Sequence, residues 1–318
     1  MSWPYWARNQ RASVVAPPPP PPLSGVFADR EPSTLTLVSD VQFDGTFNNT
    51  PVTSPTGYAY KGATDGLTVT KFGFAQKLGS KATVVAGEGE SGQHVLQAAW
   101  EEGTGVDFGG VTPPVAPGFY GAQMTPNGGR PAFRHAFFAW THRMKPGWVH
   151  DISAGTKIVY PTTLVDGASG GKPVLNAYQD GDTNSTLYRW ILSQNTFWNG
   201  TAVVNPTLHQ NMAPNKRFAV GDWYKMQLEI RMDTPGITPQ TADGIVRLWS
   251  SDWTGSGWGA PLLLMEYTNL VVGGSLATTS KTLNSLIFDL YRGGTASPIL
   301  PREIYMQFSR IRWSGSLT

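Results

Sequence analysis

The chain has 318 residues and a formal net charge of +2, which is too balanced to favour nucleic acid or an anionic membrane surface as a partner. It contains no cysteine, so disulfides and thiolate metal sites are excluded. Its 36 glycines and 25 prolines are dense, yet 40% of the residues are hydrophobic, so the composition predicts a turn-rich protein with a core. No run approaches the roughly 18 apolar residues of a membrane span, and the sequence predicts no membrane insertion.

The first 25 residues differ from the rest of the chain. They lack the basic and apolar regions of a secretory signal, so we expect no signal peptide. Six consecutive prolines, Pro17–Pro22, predict a polyproline II linker about 19 Å long. Aromatic and arginine residues precede this linker, and such residues anchor interfaces. The sequence therefore predicts an N-terminal anchor arm and linker over 1–25, which binds another protein through residues 1–22. The predicted anchor residues are Trp3, Tyr5, Trp6, Arg8 and Arg11.

From residue 26 to residue 318, short β-type runs alternate with turns. The run from Ala132 to Trp140 is long and aromatic, and Thr156–Tyr160 is rich in β-branched residues. Between Trp223 and Met232, apolar residues alternate with polar ones, which predicts a strand with one buried face and one face in water. These patterns predict one all-β domain, a two-sheet antiparallel β-sandwich.

Short motifs follow a recognisable order from Val220 to the C-terminus. A strand that opens at Trp223 ends in Thr234-Pro235-Gly236, Asp243-Gly244 begins another strand, and Tyr291-Arg292-Gly293-Gly294 precedes a closing strand. This order resembles the concanavalin-like jelly rolls of polysaccharide lyases of the glucuronan and alginate lyase type. Upstream, Gly155-Thr156-Lys157 is similar to a G-x-K motif of that family. The resemblance implies a jelly roll over roughly residues 132–314.

The resemblance also directs attention to groups that could remove the C5 proton of a uronate. Such a β-elimination needs a group that neutralises the carboxylate, a base and an acid, which in this family lie on the concave sheet. The R-x-E-L-R, Q-I-H and Y-F-K-x-G-x-Y motifs of alginate lyases are absent, so the sequence favours glycan binding over catalysis. If the protein is a lyase, the candidate catalytic residues are Tyr178, Arg189, Tyr291, Arg292 and His135, and Lys157 and Tyr160 are further candidates.

Sugar rings stack their C–H faces on aromatic rings, while their hydroxyls bond amides and guanidinium groups. On a strand, Asn176 and Tyr178 share one face. The predicted glycan-binding residues are Asn176, Tyr178, Trp190, Tyr291 and Arg292.

One acidic turn resembles the beginning of a calcium loop. Asp180, Asp182 and Asn184 place oxygen ligands at alternate positions. Ser185 stands where such a loop has glycine, and Ile191 where it has glutamate. The sequence therefore predicts no cofactor, and calcium bound by these three residues is the alternative.

Three functions remain open at this point. The sequence favours a virion decoration, fibre or spike protein of a bacteriophage, which is anchored by its arm and displays a carbohydrate-binding jelly roll on the virion exterior. It would bind cell-surface polysaccharide and form a homo-oligomer or part of a larger assembly. The alternative is a polysaccharide lyase or depolymerase acting on a uronate-containing polysaccharide. The third is a secreted, extracellular carbohydrate-binding module.

Overall fold

The structure, a computed structural model, consists of antiparallel strands, and the part of the chain that it describes contains no α-helix. It describes residues 27–42, 68–71, 74–78, 82–100, 119–124, 133–150, 156–165, 168–169, 174–179, 186–193, 197–198, 203–204, 216–236, 241–272, 281–292 and 300–316. The predicted arm and linker lie outside these residues, so the division into an arm over 1–25 and a sandwich over 26–318 stays a prediction. No helix in the described ranges is long and apolar enough to cross a membrane.

The strands form two sheets. Within the described ranges, sheet 1 has eleven strands, with β15 and β7 near its centre. These are β1 (Thr36–Gln42), β4 (Ala82–Val85), β5 (Val95–Trp100), β7 (His135–Met144), β12 (Phe197–Trp198), β13 (Val203–Val204), β15 (Tyr224–Arg231), β16 (Gly244–Asp252), β17 (Leu262–Val272), β19 (Ile304–Phe308) and β20 (Arg310–Ser316).

Sheet 2 has nine strands in the part of the chain that the structure describes, with β8 and β18 near its centre. These are β2 (Thr68–Lys71), β3 (Phe74–Leu78), β6 (Phe119–Met124), β8 (Thr156–Val165), β9 (Ala168–Ser169), β10 (Val174–Gln179), β11 (Leu187–Ser193), β14 (Phe218–Ala219) and β18 (Lys281–Arg292).

The main core lies between the two sheets. Phe138 and Trp140 of β7 face Leu228 and Met226 of β15 in register, and all four side chains are fully buried. Trp190 of sheet 2 reaches the same core, where its ring meets that of Trp140 edge-on at 6.3 Å between centroids. Because apolar residues of both sheets interdigitate, the predicted two-sheet β-sandwich is confirmed.

The prediction that β15 has one face in water is wrong. Its polar residues Lys225, Gln227 and Glu229 are all buried. Part of the reason is the segment 27–31, which lies over this outer face of sheet 1. Gln227 accepts a hydrogen bond from the backbone N–H of Arg30 at 3.1 Å and donates one to the Asp29 carboxylate at 2.7 Å. A distant part of the chain thus covers a face that local alternation assigns to solvent.

Two glycines show how the predicted turns are built. Gly236 has φ +77°, as expected for the glycine of a Pro-Gly turn. Gly244 instead begins β16, and a Cβ atom there would lie 2.4 Å from the Leu270 carbonyl oxygen. Glycine is therefore needed at 244 because another backbone approaches it closely, and the strand predicted to begin at Asp243-Gly244 does begin there.

Candidate functional site

Strand β11 shows which residues of sheet 2 face the core. Tyr188 and Trp190 are buried between the sheets, with exposed fractions of 0% and 1%. Arg189, between them in sequence, is partly exposed. Successive residues of a strand belong to opposite faces, so Arg189 lies on the outer face of sheet 2, the face turned away from sheet 1.

Strand pairing extends this outer face across four strands. Tyr178 of β10 pairs with Arg189, and Asn176 pairs with Ile191, the next outer-face residue of β11. On its other side Asn176 pairs with Lys157 of β8, which in turn pairs with Tyr291 of β18. Paired residues of neighbouring strands share a face. Asn176, Lys157 and Tyr291 therefore form a single row, called the outer-face row below.

The spacing of this row suits one sugar unit and its linkages. Neighbouring strands lie about 4.8 Å apart, so Asn176 and Tyr291 are about 10 Å apart with Lys157 between them. Tyr178 and Arg189 lie one step further along their strands, about 7 Å from the row. The register thus assigns residues with an amide, an amine, a guanidinium and two phenols to one face of sheet 2.

Irregular pairing beside the row sets the position of Lys157. The register shifts between Leu175 and Asn176 on the β10 side, and between Phe288 and Tyr291 on the β18 side. Val159 pairs with both Leu175 and Phe288, an apolar row that continues the inner face. The irregularity thus allows Lys157, two residues from Val159, to share the face of Asn176 and Tyr291.

Two predicted glycan-binding residues belong elsewhere. Trp190 is a core residue, because its ring packs edge-on against His142 at 5.0 Å and against Phe218 at 6.5 Å. Its burial removes it from the sugar-stacking candidates. Arg292 is assigned to the inner face by the strand pairing that connects it with the buried Trp190. The pairs that connect them are Trp190 with Ala177, Ala177 with Thr156, and Thr156 with Arg292. The register therefore separates Arg292 from Tyr291 and assigns the two residues to different faces.

His135 is also separated from the other candidates, because it lies on β7 in sheet 1. Its Nε2 is 2.9 Å from Oε1 of Glu229, whose other oxygen accepts a bond from Arg247 at 3.2 Å. Hydrogen bonds from these two neighbours lower the pKa of Glu229 against the opposing effect of burial. A lyase role for His135 beside Tyr178 and Arg189 is therefore not supported, because the two sheets of a sandwich lie about 10 Å apart.

The predicted calcium ligands and the anchor residues lie outside the described residues. They comprise Asp180, Asp182 and Asn184, and Trp3, Tyr5, Trp6, Arg8 and Arg11. Within the described ranges, no group of three or more His, Asp or Glu side chains is arranged to hold a metal ion.

A second polar cluster lies on sheet 1, where sequence analysis found no site. Glu88 accepts hydrogen bonds from Lys145 at 3.1 Å, Arg143 at 3.0 Å and the Gln307 amide at 2.7 Å. The bonds from Lys145 and Gln307 lower the pKa of the Glu88 carboxyl, so it is an anion at neutral pH. The guanidinium of Arg143 also lies 5.1 Å from the Trp223 ring centre. Each charged residue of this cluster contacts an oppositely charged group or an amide, which is typical of a structural network. The sequence could not predict the cluster, because its residues meet only through the pairing of distant strands.

No model of a known protein family matches the sequence, and no curated protein matches it. The fold does match solved structures. A double mutant of the alginate lyase Aly36B in complex with alginate trisaccharide aligns with a TM-score of 0.51 at 12% identity, covering 88% of this chain and all of that one.

Two further structures are similar at lower scores. The marine alginate lyase of family PL-14 from Aplysia kurodai aligns with a TM-score of 0.49 at 13% identity, over 74% of this chain and 87% of its own. The endo-beta-1,4-glucuronan lyase of the fungus Trichoderma reesei aligns with a TM-score of 0.40 at 13% identity, over 81% of this chain and 95% of its own. The Aly36B match shows that the chain has the all-β jelly-roll fold of that structure.

Proposed function

We propose that the protein binds a uronate-containing polysaccharide on the outer face of sheet 2 and cleaves it by β-elimination. The observation that carries this proposal is the outer-face row, in which strand pairing brings Asn176, Lys157 and Tyr291 together. The three residues are far apart in sequence, and their side chains supply the kinds of group that elimination requires. The fold shared with an alginate lyase favours this function over display on a virion.

The proposed step uses each residue of the row at a stated atom. The Asn176 amide donates a hydrogen bond to the uronate carboxylate, with Arg189 adding positive charge from the neighbouring position. The neutral Lys157 amine accepts the C5 proton, and the electron pair of the broken C5–H bond forms the C4=C5 double bond. The C4–O4 bond breaks as Tyr291 donates its phenol proton to O4. The Lys157 ammonium then returns a proton to the Tyr291 phenolate, which resets the site.

Stabilisation of the carboxylate is essential to this step. Loss of the C5 proton places negative charge on the carboxylate oxygens, and a fixed donor aimed at that charge lowers the barrier. Tyr178 lies beside Arg189 on the same face and is the proposed contact for the neighbouring sugar ring. The chemistry is thus assigned to the outer-face row, and the contact with the neighbouring ring to Tyr178 beside it.

The test is the release of unsaturated uronate from alginate and glucuronan, followed by the ultraviolet absorbance of the new double bond. We expect Lys157→Ala and Tyr291→Phe each to lower kcat by at least about 100-fold, the usual contribution of a proton-transfer group. Tyr305→Phe is the matched control because Tyr305 lies on sheet 1, where its hydroxyl donates to Glu303 at 2.5 Å. Its activity should match that of the unaltered protein.

Two outcomes would contradict the proposal. Polysaccharide binding without any unsaturated product would leave a binding protein of the kind that the sequence alone favoured. Product formation that survives both substitutions in the row would place the chemistry elsewhere. Attachment to a virion or another assembly through residues 1–22 remains a separate prediction, testable by deleting them.

A further inference from the structure

A cavity of about 760 Å³ lies on the outer face of sheet 1, on the opposite side of the sandwich from the outer-face row. Its walls come from the segment 27–31, from Glu90 and Gln93 in the loop before β5, from the loop 258–261, and from Ser309 and Arg310 where β19 passes into β20. The volume is within the range of small-molecule binding sites. Neither the proposed elimination nor the fold requires a cavity here.

One wall of the cavity is aromatic and apolar. Trp258 is partly exposed, and its ring is held edge-on by Trp253 at 5.1 Å between centroids. Phe27 lines the cavity from the other side, and the Arg310 guanidinium lies 4.4 Å from its ring centre. Rings fixed in this way offer flat surfaces to a ligand without first having to be ordered.

The part of the cavity beside Trp258 is polar and contains a buried ammonium, that of Lys225, whose Nζ lies 6.0 Å from the Trp258 ring centre. Lys225 lines the cavity although its side chain is only 1% exposed. Among the residues that the structure describes, its acidic partner is Asp29, with a long Nζ–Oδ1 distance of 3.4 Å. That oxygen already accepts the shorter hydrogen bond from Gln227. A lysine ammonium has three N–H donors, so Lys225 retains capacity for oxygen acceptors of a ligand.

Acceptors and further donors complete this polar part of the cavity. Glu90 accepts a hydrogen bond from the Ser309 hydroxyl at 2.5 Å, and burial raises the pKa of the Glu90 carboxyl. Gln93 adds an amide. A ligand with many hydroxyl groups can satisfy such a mixture because each hydroxyl both donates and accepts.

The charges around the cavity are balanced. The cationic lining residues are Arg30, Lys225 and Arg310, and the acidic ones are Asp29, Glu31 and Glu90. Arg310 is held by two hydrogen bonds to Asp40, at 2.8 and 2.7 Å. Glu31 is held by Arg312 at 2.7 Å. This balance leaves little excess charge for a phosphate or another strong anion.

We propose that this cavity is a second saccharide-binding site, in which a neutral sugar unit lies against the exposed part of the Trp258 ring and reaches the neighbouring polar groups of Lys225, Glu90 and Gln93. The apolar C–H face of the sugar stacks on Trp258, and its hydroxyls bond the ammonium, carboxyl and amide groups. The site does not depend on cleavage at sheet 2. It would hold a polysaccharide on the side of the sandwich away from the outer-face row.

The test is titration calorimetry of the full chain with three probes, which are cellohexaose, mannohexaose and an alginate hexasaccharide. The Tyr291→Phe variant is used throughout so that the alginate probe stays intact. We expect a neutral hexasaccharide to bind, and Trp258→Ala to weaken that binding by at least about tenfold through the loss of ring stacking. Lys225→Met should weaken it similarly. Tyr305→Phe, on another part of sheet 1, should leave it unchanged.

The outcomes separate this proposal from the proposed function. Binding of a neutral sugar that depends on Trp258 supports the second site whether or not the protein cleaves alginate. Three results would overturn it, namely no binding of any probe, binding that is unaffected by Trp258→Ala in a folded variant, or binding of the alginate probe alone. In a separate activity assay, with Tyr291 unaltered, Trp258→Ala should cleave short alginate chains at the normal rate, because Trp258 is remote from the outer-face row.

Discussion

Acidification should destabilise the sandwich through His142, whose side chain is fully buried in the core. Its Nε2 is 3.1 Å from the Tyr188 hydroxyl, and its ring is packed among those of Trp190, Tyr188 and Tyr224. Burial among these rings penalises the charged imidazolium and lowers the pKa of His142 to about 3, from an ordinary value of 6.5. The folded protein therefore holds this histidine neutral.

The sign and size of the effect follow from that difference. The unfolded chain binds a proton at His142 below pH 6.5, whereas the folded chain does not until the pH reaches about 3. The stability that the neutral ring contributes is complete above pH 6.5 and is lost as the pH falls. Well below pH 6.5 each pH unit costs about 1.4 kcal/mol, and at pH 6.5 itself about half of that, because only half of the unfolded chains carry the proton there. Between pH 6.5 and pH 4.5 the loss therefore amounts to about 2.3 kcal/mol.

The assay is chemical unfolding at a series of pH values, for the unaltered protein and for His142→Gln. Subtracting the two free energies of unfolding removes carboxyl groups such as Glu229, whose lowered pKa also destabilises the fold in acid. It also removes any constant cost of the substitution. The difference should change by about 2.3 kcal/mol over the two pH units. A difference that stays flat, or an NMR titration of folded His142 near pH 6.5, would refute the reasoning.

Two other predictions concern packing. Trp190→Ala should lower the free energy of unfolding by about 3–5 kcal/mol because it empties a core site. Arg189→Ala, next to it on the outer face, should lower it by less than about 1 kcal/mol. Both values can be measured by guanidinium unfolding, and equal values would contradict the face assignment. Gly244→Ala should destabilise by about 1–3 kcal/mol, since the added Cβ would lie 2.4 Å from the Leu270 carbonyl oxygen. Gly259→Ala, where the nearest atom is 3.4 Å away, is the control, and equal thermal midpoints for these two variants would contradict the close approach.

The fold could be predicted from the sequence where a pattern is local. Alternation from Tyr224 to Arg231 predicts β15, and the aromatic run before Trp140 predicts β7. The fate of the polar face of β15 could not be predicted. It depends on Asp29 and Arg30, about 197 residues away along the chain, which cover Gln227. No local pattern carries information about such a contact.

The candidate site shows the same limit. The sequence identifies Asn176, Lys157 and Tyr291 as chemically suitable, but their convergence depends on the order β10-β8-β18 and on shifts in register. Trp190 is misassigned for a related reason, because an aromatic residue suits both a core and a sugar platform. Tyr188 and Trp190 share a face by alternation, yet only the packing against sheet 1 shows that it is the inner one.

The central claim is that this jelly roll cleaves polysaccharide by elimination at the outer-face row. The most direct measurement is mass spectrometry of alginate fragments produced in water enriched in heavy oxygen. Elimination forms a C4=C5 double bond and takes no oxygen from water, so the account predicts unsaturated fragments without the heavy isotope. With Lys157→Ala these fragments should form at least about 100-fold more slowly. Fragments that carry heavy oxygen at the new reducing end would show hydrolysis, and the absence of fragments from both alginate and glucuronan would show that the row does not catalyse elimination of these uronates.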